Sequence, residues 1–386
     1  MNVLVASHLY PSPLSQIYGS FVHNQVRFLQ AHCHLWVVAP TPWFPVPGFG
    51  HWSAYNKVPA HEVRDGVDIL RPRYTTLPRR FLLGRAWGSY LKALMRSSPV
   101  VPDIIHAHCA YPDGRAAVEY GRLVGRPVVI TVHGHDIKDL AQGKHSWRKL
   151  VVEALNGAAL VIAVSQDLRQ RILKLGIPAD KVEAVPNGVD GALFQDGPKR
   201  QAGENGWRLL YVGRLEDAKG IGVLLQALSR LRRRRTDWHL TLIGGNPFTG
   251  TAQSYRRQSA ELGLEECVDF LDEVPWAQLP GHMQQADLFL LPSFSEGLPL
   301  ALLEAMACGL PVISTRCGGP EEAIDAEVGM LVEVADVAGL EGAIGTVLDD
   351  YGRFDRDRIH RRTVERYDYR HIASRIAQLY ERLAAS

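Results

Sequence analysis

Two glutamates, Glu296 and Glu304, stand with seven residues between them in the run Pro292–Thr315, PSFSEGLPLALLEAMACGLPVIST. The apolar run Leu288–Leu291 has the length of a strand. Gly297 and Leu298 follow in a loop, and Pro299 suits the first turn of a helix, where its missing N–H costs nothing. From Leu300 to Cys308 the chain is almost entirely apolar apart from Glu304, so the helix is expected to be buried on most sides. A strand that ends in such a loop and opens a helix presents free N–H groups and the positive end of a helix dipole, which is an anion site. Acids repel phosphate but accept hydrogen bonds from hydroxyls, so a ligand with both a diphosphate and sugar hydroxyls satisfies the set. The spacing alone leaves an ordinary alternative open: a surface Glu296, and a Glu304 paired to an Arg or Lys.

Other groups fit the same chemistry. Arg214 and Lys219 follow the apolar run Arg208–Val212 in GRLEDAKG, and a departing diphosphate needs such cations when no metal neutralises it. Nothing is assigned to Glu216 and Asp217 in the same loop. His133 ends the run Pro127–Val132, and ligand residues of open α/β sheets sit at the carboxyl ends of strands. His106/His108 and His133/His135 form two H-x-H pairs, but no carboxylate-rich or Cys cluster completes a metal shell, so no metal is expected. Asp355 and Asp357 lie in an Arg-rich helical tail and read as surface.

These residues must be positioned by alternating strands and helices. Asn2–Ser7, Leu35–Ala39, Val67–Tyr74, Asp103–His106, Pro127–Val132, Leu160–Val164 and Lys181–Val185 read as strands of a first doubly wound sheet. Arg208–Val212, His239–Ile243, Val268–Leu271, Leu288–Leu291, Pro311–Ser314 and Met330–Val332 read as strands of a second. Ser165 is a candidate N-cap. No G-x-G-x-x-G follows the first strand, so a dinucleotide fingerprint is missing. Gln195–Gly206, polar and Gly-rich, reads as the linker.

The chain has 386 residues, 46% hydrophobic and 22% charged, enough for two globular domains. Its net charge of +2 argues against a general nucleic-acid binder. Five cysteines without a C-x-x-C pair fit a reducing compartment, the cytoplasm. The opening MNVLVASHLYPSP reads as a first strand rather than a signal peptide, and no apolar run is long enough to span a bilayer. From Ile69 to Ser98 there is no acid, while Arg71, Arg73, Arg79, Arg80, Arg85, Lys92 and Arg96 are present. On a helical wheel Leu83, Trp87, Tyr90, Leu91 and Leu94 share one face. That apolar face suits packing on the sheet, and the missing acids favour an anionic partner, such as a lipid diphosphate or the headgroups of the inner membrane surface.

With the glutamate pair in the setting SEGLPLALLEAMACGLPVI, the chain resembles the retaining family 4 glycosyltransferases, which have the GT-B fold: two Rossmann-like α/β domains facing across a cleft. The resemblance implies a nucleotide diphosphate sugar donor held by the C-terminal domain and an acceptor held by the N-terminal one. It assigns the donor sugar to Glu296, the ribose to Glu304, and the diphosphate to Gly297, Leu298 and Pro299 together with Arg214 and Lys219. GSFV resembles the family's glycine loop, which gives Gly19 a place beside the donor phosphates, and TVHG places His133 against the donor sugar, with Asp136 as support. One departure is Asp272, where the family often has Gly, in the region that usually meets the base. The last helices of this fold cross back to the first domain, which implies domains of 1–195 with about 366–386, and 196–365. The opening SHLYPSPLSQIYGSFVHNQV is similar to polysaccharide enzymes of the teichuronic-acid type, which extend lipid-linked sugars. The implied reaction is a same-face transfer with retention, without metal or cofactor. A GT-B epimerase, a sugar phosphorylase and a non-catalytic nucleotide-sugar binder remain as alternatives.

Overall fold

The structure, a computed structural model, describes residues 1–43, 50–75, 83–140, 145–197, 202–245 and 251–385. It divides into two compact units, Met1–Pro186 with Tyr369–Ser386, and Asn187–Asp368.

The first unit carries β1 (Asn2–Ala6), β2 (His34–Val38), β3 (Thr41–Trp43), β4 (His61–Arg64), β5 (Val67–Leu70), β6 (Arg73–Thr75), β7 (Ile104–His108), β8 (Val128–Val132), β9 (Leu160–Ala163) and β10 (Val182–Ala184). Eight of them form one sheet in the order β10-β9-β8-β7-β1-β2-β5-β4, parallel except for β4. Every residue of β7, β8 and β9 is buried, as expected for parallel strands covered on both faces. Ser165 caps the helix Gln166–Lys174 by accepting from Leu168 N at 3.2 Å.

Two local readings change. Val67–Tyr74, read as one strand, is two. Pro72 has no N–H to continue the ladder, so the chain leaves the main sheet there and β6 pairs with β3 instead. The sequence reading also missed β4, which pairs antiparallel with β5 across Asp65-Gly66, both at positive φ (48° and 78°).

These elements reassign part of the basic stretch. Arg71 is buried, bonding Glu62 Oε1 of β4 at 2.7 Å and the Pro11 carbonyl at 2.5 Å. Arg73 donates to the carbonyls of Tyr55 and Val58 at 2.7 and 2.5 Å. Arg79 and Arg80, and the side chains of Leu83 and Arg85, lie outside the described residues. In the helix Leu83–Ser97, Tyr90 and Leu94 are fully buried, and Lys92 and Arg96 are exposed.

The helix Tyr369–Ala384 completes the core of this unit. Tyr369 stacks on Phe28 with centroids 5.2 Å apart, and Ile372, Ile376 and Leu379 join the cluster that holds Val3, Val5, Val22 and Val26.

The second unit has six parallel strands, β11 (Trp207–Val212), β12 (Trp238–Ile243), β13 (Val268–Leu271), β14 (Leu288–Leu291), β15 (Val312–Thr315) and β16 (Gly329–Val332), in the order β13-β12-β11-β14-β15-β16. Its limits differ from the expected 195/196 and 365/366. Val189 N donates to Tyr367 O at 2.8 Å, and buried Phe194 packs edge-on against Trp276 at 5.5 Å. Residues after Pro186 therefore belong with the second sheet. The expected linker begins inside this unit, and its residues 198–201 lie outside the described ones.

Candidate active site

In the second unit the chain leaves the fully buried β14, passes Ser293, and reaches Glu296–Leu298, all buried. Pro299, with φ −74° and ψ 128°, caps the helix Leu300–Ala307. The first amides of this helix have no carbonyl one turn back, so they face the loop as free donors. Gly319 is what lets the neighbouring loop close on this one: a Cβ there would lie 1.6 Å from Gly297 O. Glu296 and Gly318 form an isolated parallel bridge at the same place.

A second strand end meets this loop. After β11, the 3-10 turn Asp217–Lys219 ends at Gly220, whose φ of 69° favours glycine and whose Cβ would meet Pro292 O at 2.0 Å. Phe294 N donates to Ala218 O at 2.8 Å. This stitching sets Lys219 Nζ 2.6 Å from Glu296 Oε1, with both side chains largely buried. Arg214 is more open, 58% exposed, and pairs with Glu216 at 2.9 Å, a partner that sequence reasoning left unassigned.

Glu304 is 6% exposed, and no Arg or Lys pairs with it among the described residues. Its partner is the indole of Trp276, whose Nε1 donates to Oε1 at 2.9 Å. Burial raises its carboxyl to about 7, against the opposite pull of the Trp276 bond. The ordinary reading, a surface Glu296 with a cation-paired Glu304, is therefore not what the chain forms. No local pattern pointed to Trp276, 28 residues earlier.

In the first unit, Gly19 (φ 79°) precedes the helix Ser20–Leu29. A Cβ on it would lie 2.3 Å from Leu9 C, so the loop closes only over glycine. The helix brings Phe21 to His133, with ring centroids 4.5 Å apart. His133 follows β8 and stacks on His108 of β7, with centroids 5.2 Å apart, planes 15° apart, and His108 Nδ1 3.0 Å from His133 Nε2. His106 Nδ1 lies 2.5 Å from Tyr380 Oη, and its Nε2 2.7 Å from Thr131 Oγ1. Burial lowers His133 and His106 to about 3 and His108 well below its ordinary value, so all three rings are neutral. Asp136 accepts from the amides of Ala110 and Gly134 at 2.9 and 3.3 Å, which pins the loop. Among the described residues no group of three or more His, Cys, Asp or Glu is arranged to hold a metal ion.

Residues 206–350 match the family model described as glycosyl transferases group 1, and residues 19–193 match that of glycosyltransferase family 4. A Bacillus subtilis protein named for teichuronic acid biosynthesis, the glycosyltransferase TuaC, is 30% identical over 360 residues, covering 89% of this chain and 88% of that protein. The chain belongs to glycosyltransferase family 4. Glycogen synthase of Mycobacterium tuberculosis is 28% identical to this glycosyltransferase over 407 residues, covering 98% of this chain and 94% of that one. Among solved structures, Anabaena HepE superposes with a TM-score of 0.76 at 21% identity, covering 99% of this chain and 100% of that one. Sucrose-phosphate synthase of Thermosynechococcus elongatus superposes with a TM-score of 0.80 at 22% identity, covering 100% and 99%. The glycosyltransferase has the GT-B fold. Among its described residues no helix is long and apolar enough to cross a membrane.

Proposed function

We propose that this glycosyltransferase moves a sugar from a nucleotide diphosphate sugar, with retention at the anomeric carbon, to a lipid-linked glycan intermediate of cell-surface polysaccharide synthesis. The observation that carries the donor reading is Glu304: a buried carboxylate without a described cation, beside a helix start that offers free amides. A ribose supplies hydroxyls to such a carboxylate, and the attached diphosphate supplies the anion for the amides. Lys219 and Arg214 neutralise the departing diphosphate, Glu296 accepts from the donor sugar, and Gly297–Pro299 hold the phosphates. On the first unit, Gly19 and His133 serve the reacting end of the donor. The proposal includes no metal and no cofactor.

Both bases have support among similar proteins. HepE has been crystallised with UDP and with UDP-glucose. A Mycolicibacterium smegmatis enzyme, 34% identical over 250 residues, is named as a GDP-mannose-dependent phosphatidylinositol monomannoside mannosyltransferase. The polysaccharide role is supported by the names of TuaC and of the amylovoran biosynthesis enzyme AmsK. Lys92 and Arg96, exposed on their helix, supply cations for the inner face of a plasma membrane.

The test is incubation with UDP- and GDP-sugars, with and without a polyprenyl-diphosphate sugar. Nucleotide release that requires the lipid supports the proposal. Release without it points to an epimerase or to hydrolysis, phosphate-dependent release to a phosphorylase, and affinity without turnover to a binding protein.

A further inference from the structure

His8 and Asp113 form a pair that the proposed function leaves unused. His8 lies two residues beyond β1, which has β7 beside it in the sheet and β8 beyond that, the strands whose ends carry His108 and His133. The carboxyl ends of adjacent parallel strands are where ligands of such sheets gather. Asp113 is fully buried, and its bonds come from two other elements. The His8 amide donates to Oδ1 at 2.6 Å, His8 Nδ1 lies 2.5 Å from Oδ2, and the Tyr90 hydroxyl donates to Oδ1.

A carboxylate held wholly away from water costs several kcal/mol before its partners offset it, and an apolar residue would fill the space more cheaply. What this arrangement produces is an imidazole fixed in one orientation. With Nδ1–H directed at Asp113, Nε2 is the ring atom left to meet a ligand, with a lone pair on the neutral ring and an N–H on the protonated one. No described residue bonds Nε2, and 27% of the side chain is exposed. Burial pulls the ring's basicity down, but the Asp113 charge and hydrogen bond outweigh it and leave it raised. Acidic neighbours, Asp113 and then Asp136, disfavour an anion here. Tyr74, half-buried, packs edge-on to Tyr90 at 5.6 Å and so backs the ring that bonds Asp113. An oriented ring nitrogen open on one side suits a saccharide, whose hydroxyls can donate or accept.

We propose that His8 is an acceptor-binding residue of this glycosyltransferase, sharing a hydrogen bond between Nε2 and a hydroxyl of the acceptor sugar, with Asp113 and Tyr90 as its positioning residues. The inference rests on the proposed acceptor being a glycan. Its test uses the UDP- or GDP-sugar that the wild type consumes, with polyprenyl-diphosphate-linked N-acetylglucosamine as acceptor probe. His8→Ala should raise the acceptor KM about tenfold, the loss of one hydrogen bond, with the nucleotide Kd and the melting temperature unchanged. His8→Gln, whose amide can donate or accept a hydrogen bond, should recover part of the loss. Asp113→Asn should raise the same KM and spare the nucleotide Kd. An unchanged acceptor KM in His8→Ala overturns the inference, and so does an equal loss of nucleotide affinity. If the wild type consumes no nucleotide sugar, the proposed function itself has failed. Direct binding of octyl β-D-glucopyranoside then decides on His8: binding that is lost in His8→Ala supports the site, and binding equal in both proteins, or none to the wild type, removes it.

Discussion

Lys219 Nζ and Glu296 Oε1 are 2.6 Å apart, so a cation and a carboxylate proposed to serve one donor are bound to each other. The pair joins the turn after β11 to the loop after β14. A diphosphate arriving at the helix Leu300–Ala307 has to compete with Glu296 for the Lys219 ammonium. Glu296→Gln should therefore keep UDP or GDP affinity, or tighten it a few-fold, while transfer falls by about 10²–10³ through loss of a contact to the reacting sugar. Lys219→Ala should weaken nucleotide binding about tenfold or more, as expected for a charge-assisted contact. Calorimetry with the nucleotide alone checks both, and a weaker Kd in Glu296→Gln would sink the competition argument.

Glu304 ties nucleotide binding to pH. Its carboxyl rises from 4.5 to about 7 in the folded chain. Between those values the folded state holds the proton and the unfolded state does not. The stability from this group is full below about 4.5 and is lost as pH rises through 7. Glu304→Gln should therefore be more stable than the wild type at pH 8, by about 3 kcal/mol at most, and little changed at pH 4.5. Donor binding through the ribose needs the carboxylate, so affinity should grow as pH rises through 7 and lose that dependence in the variant. A nucleotide sugar is the proper titrant, because its diphosphate does not titrate in this range. Parallel pH profiles for wild type and variant would remove Glu304 from the donor site.

Gly319→Ala asks whether the contact between two loops matters. Its Cβ would fall 1.6 Å from Gly297 O, so one loop must shift. The expected result is a loss of about 1–3 kcal/mol in urea unfolding, with nucleotide affinity weakened more than tenfold. Gly342, which has open space around it, is the control. Equal behaviour of Gly319→Ala and Gly342→Ala would show the loop to be tolerant.

The row His106, His108 and His133 sets an acid limit. With folded values near 3 for two of them, protonation below 6.5 favours the unfolded chain. Stability should be fully present above about 6.5 and fall with pH from there toward 3, by about 1.4 kcal/mol per pH unit for each ring. Urea unfolding at pH 7, 6 and 5 should show the slope, and His106→Gln, which can still bond Tyr380, should reduce it. An unchanged slope in that variant would mean that another group controls the acid limb.

The strand–loop–helix that carries Glu296 and Glu304 was legible because an apolar run, a loop glycine and a proline mark it locally. The second-unit strands were legible for the same reason. What could not be read is who meets whom across long separations. Glu304 needed a partner, but only the fold brings Trp276 to it. Arg71 looked like part of a surface charge until β4 placed Glu62 beside it. The Asp65-Gly66 turn was a readable signal that went unused, and with it the hairpin. The family resemblance, not spacing, suggested that the last helix returns to the first sheet. The limit after Pro186 could not be read, since it depends on Val189 meeting Tyr367.

The helix Tyr369–Ala384 has a consequence for biosynthesis. Tyr380, fully buried and in contact with His106, is translated only after the whole of Asn187–Asp368. The sheet of the first unit therefore waits for residues translated after Asp368, while Asn187–Asp368 is one uninterrupted segment that can mature during elongation. Nascent chains arrested before Tyr369 should hold a protease-resistant rear half and a digestible front half, the reverse of the order in which they were made.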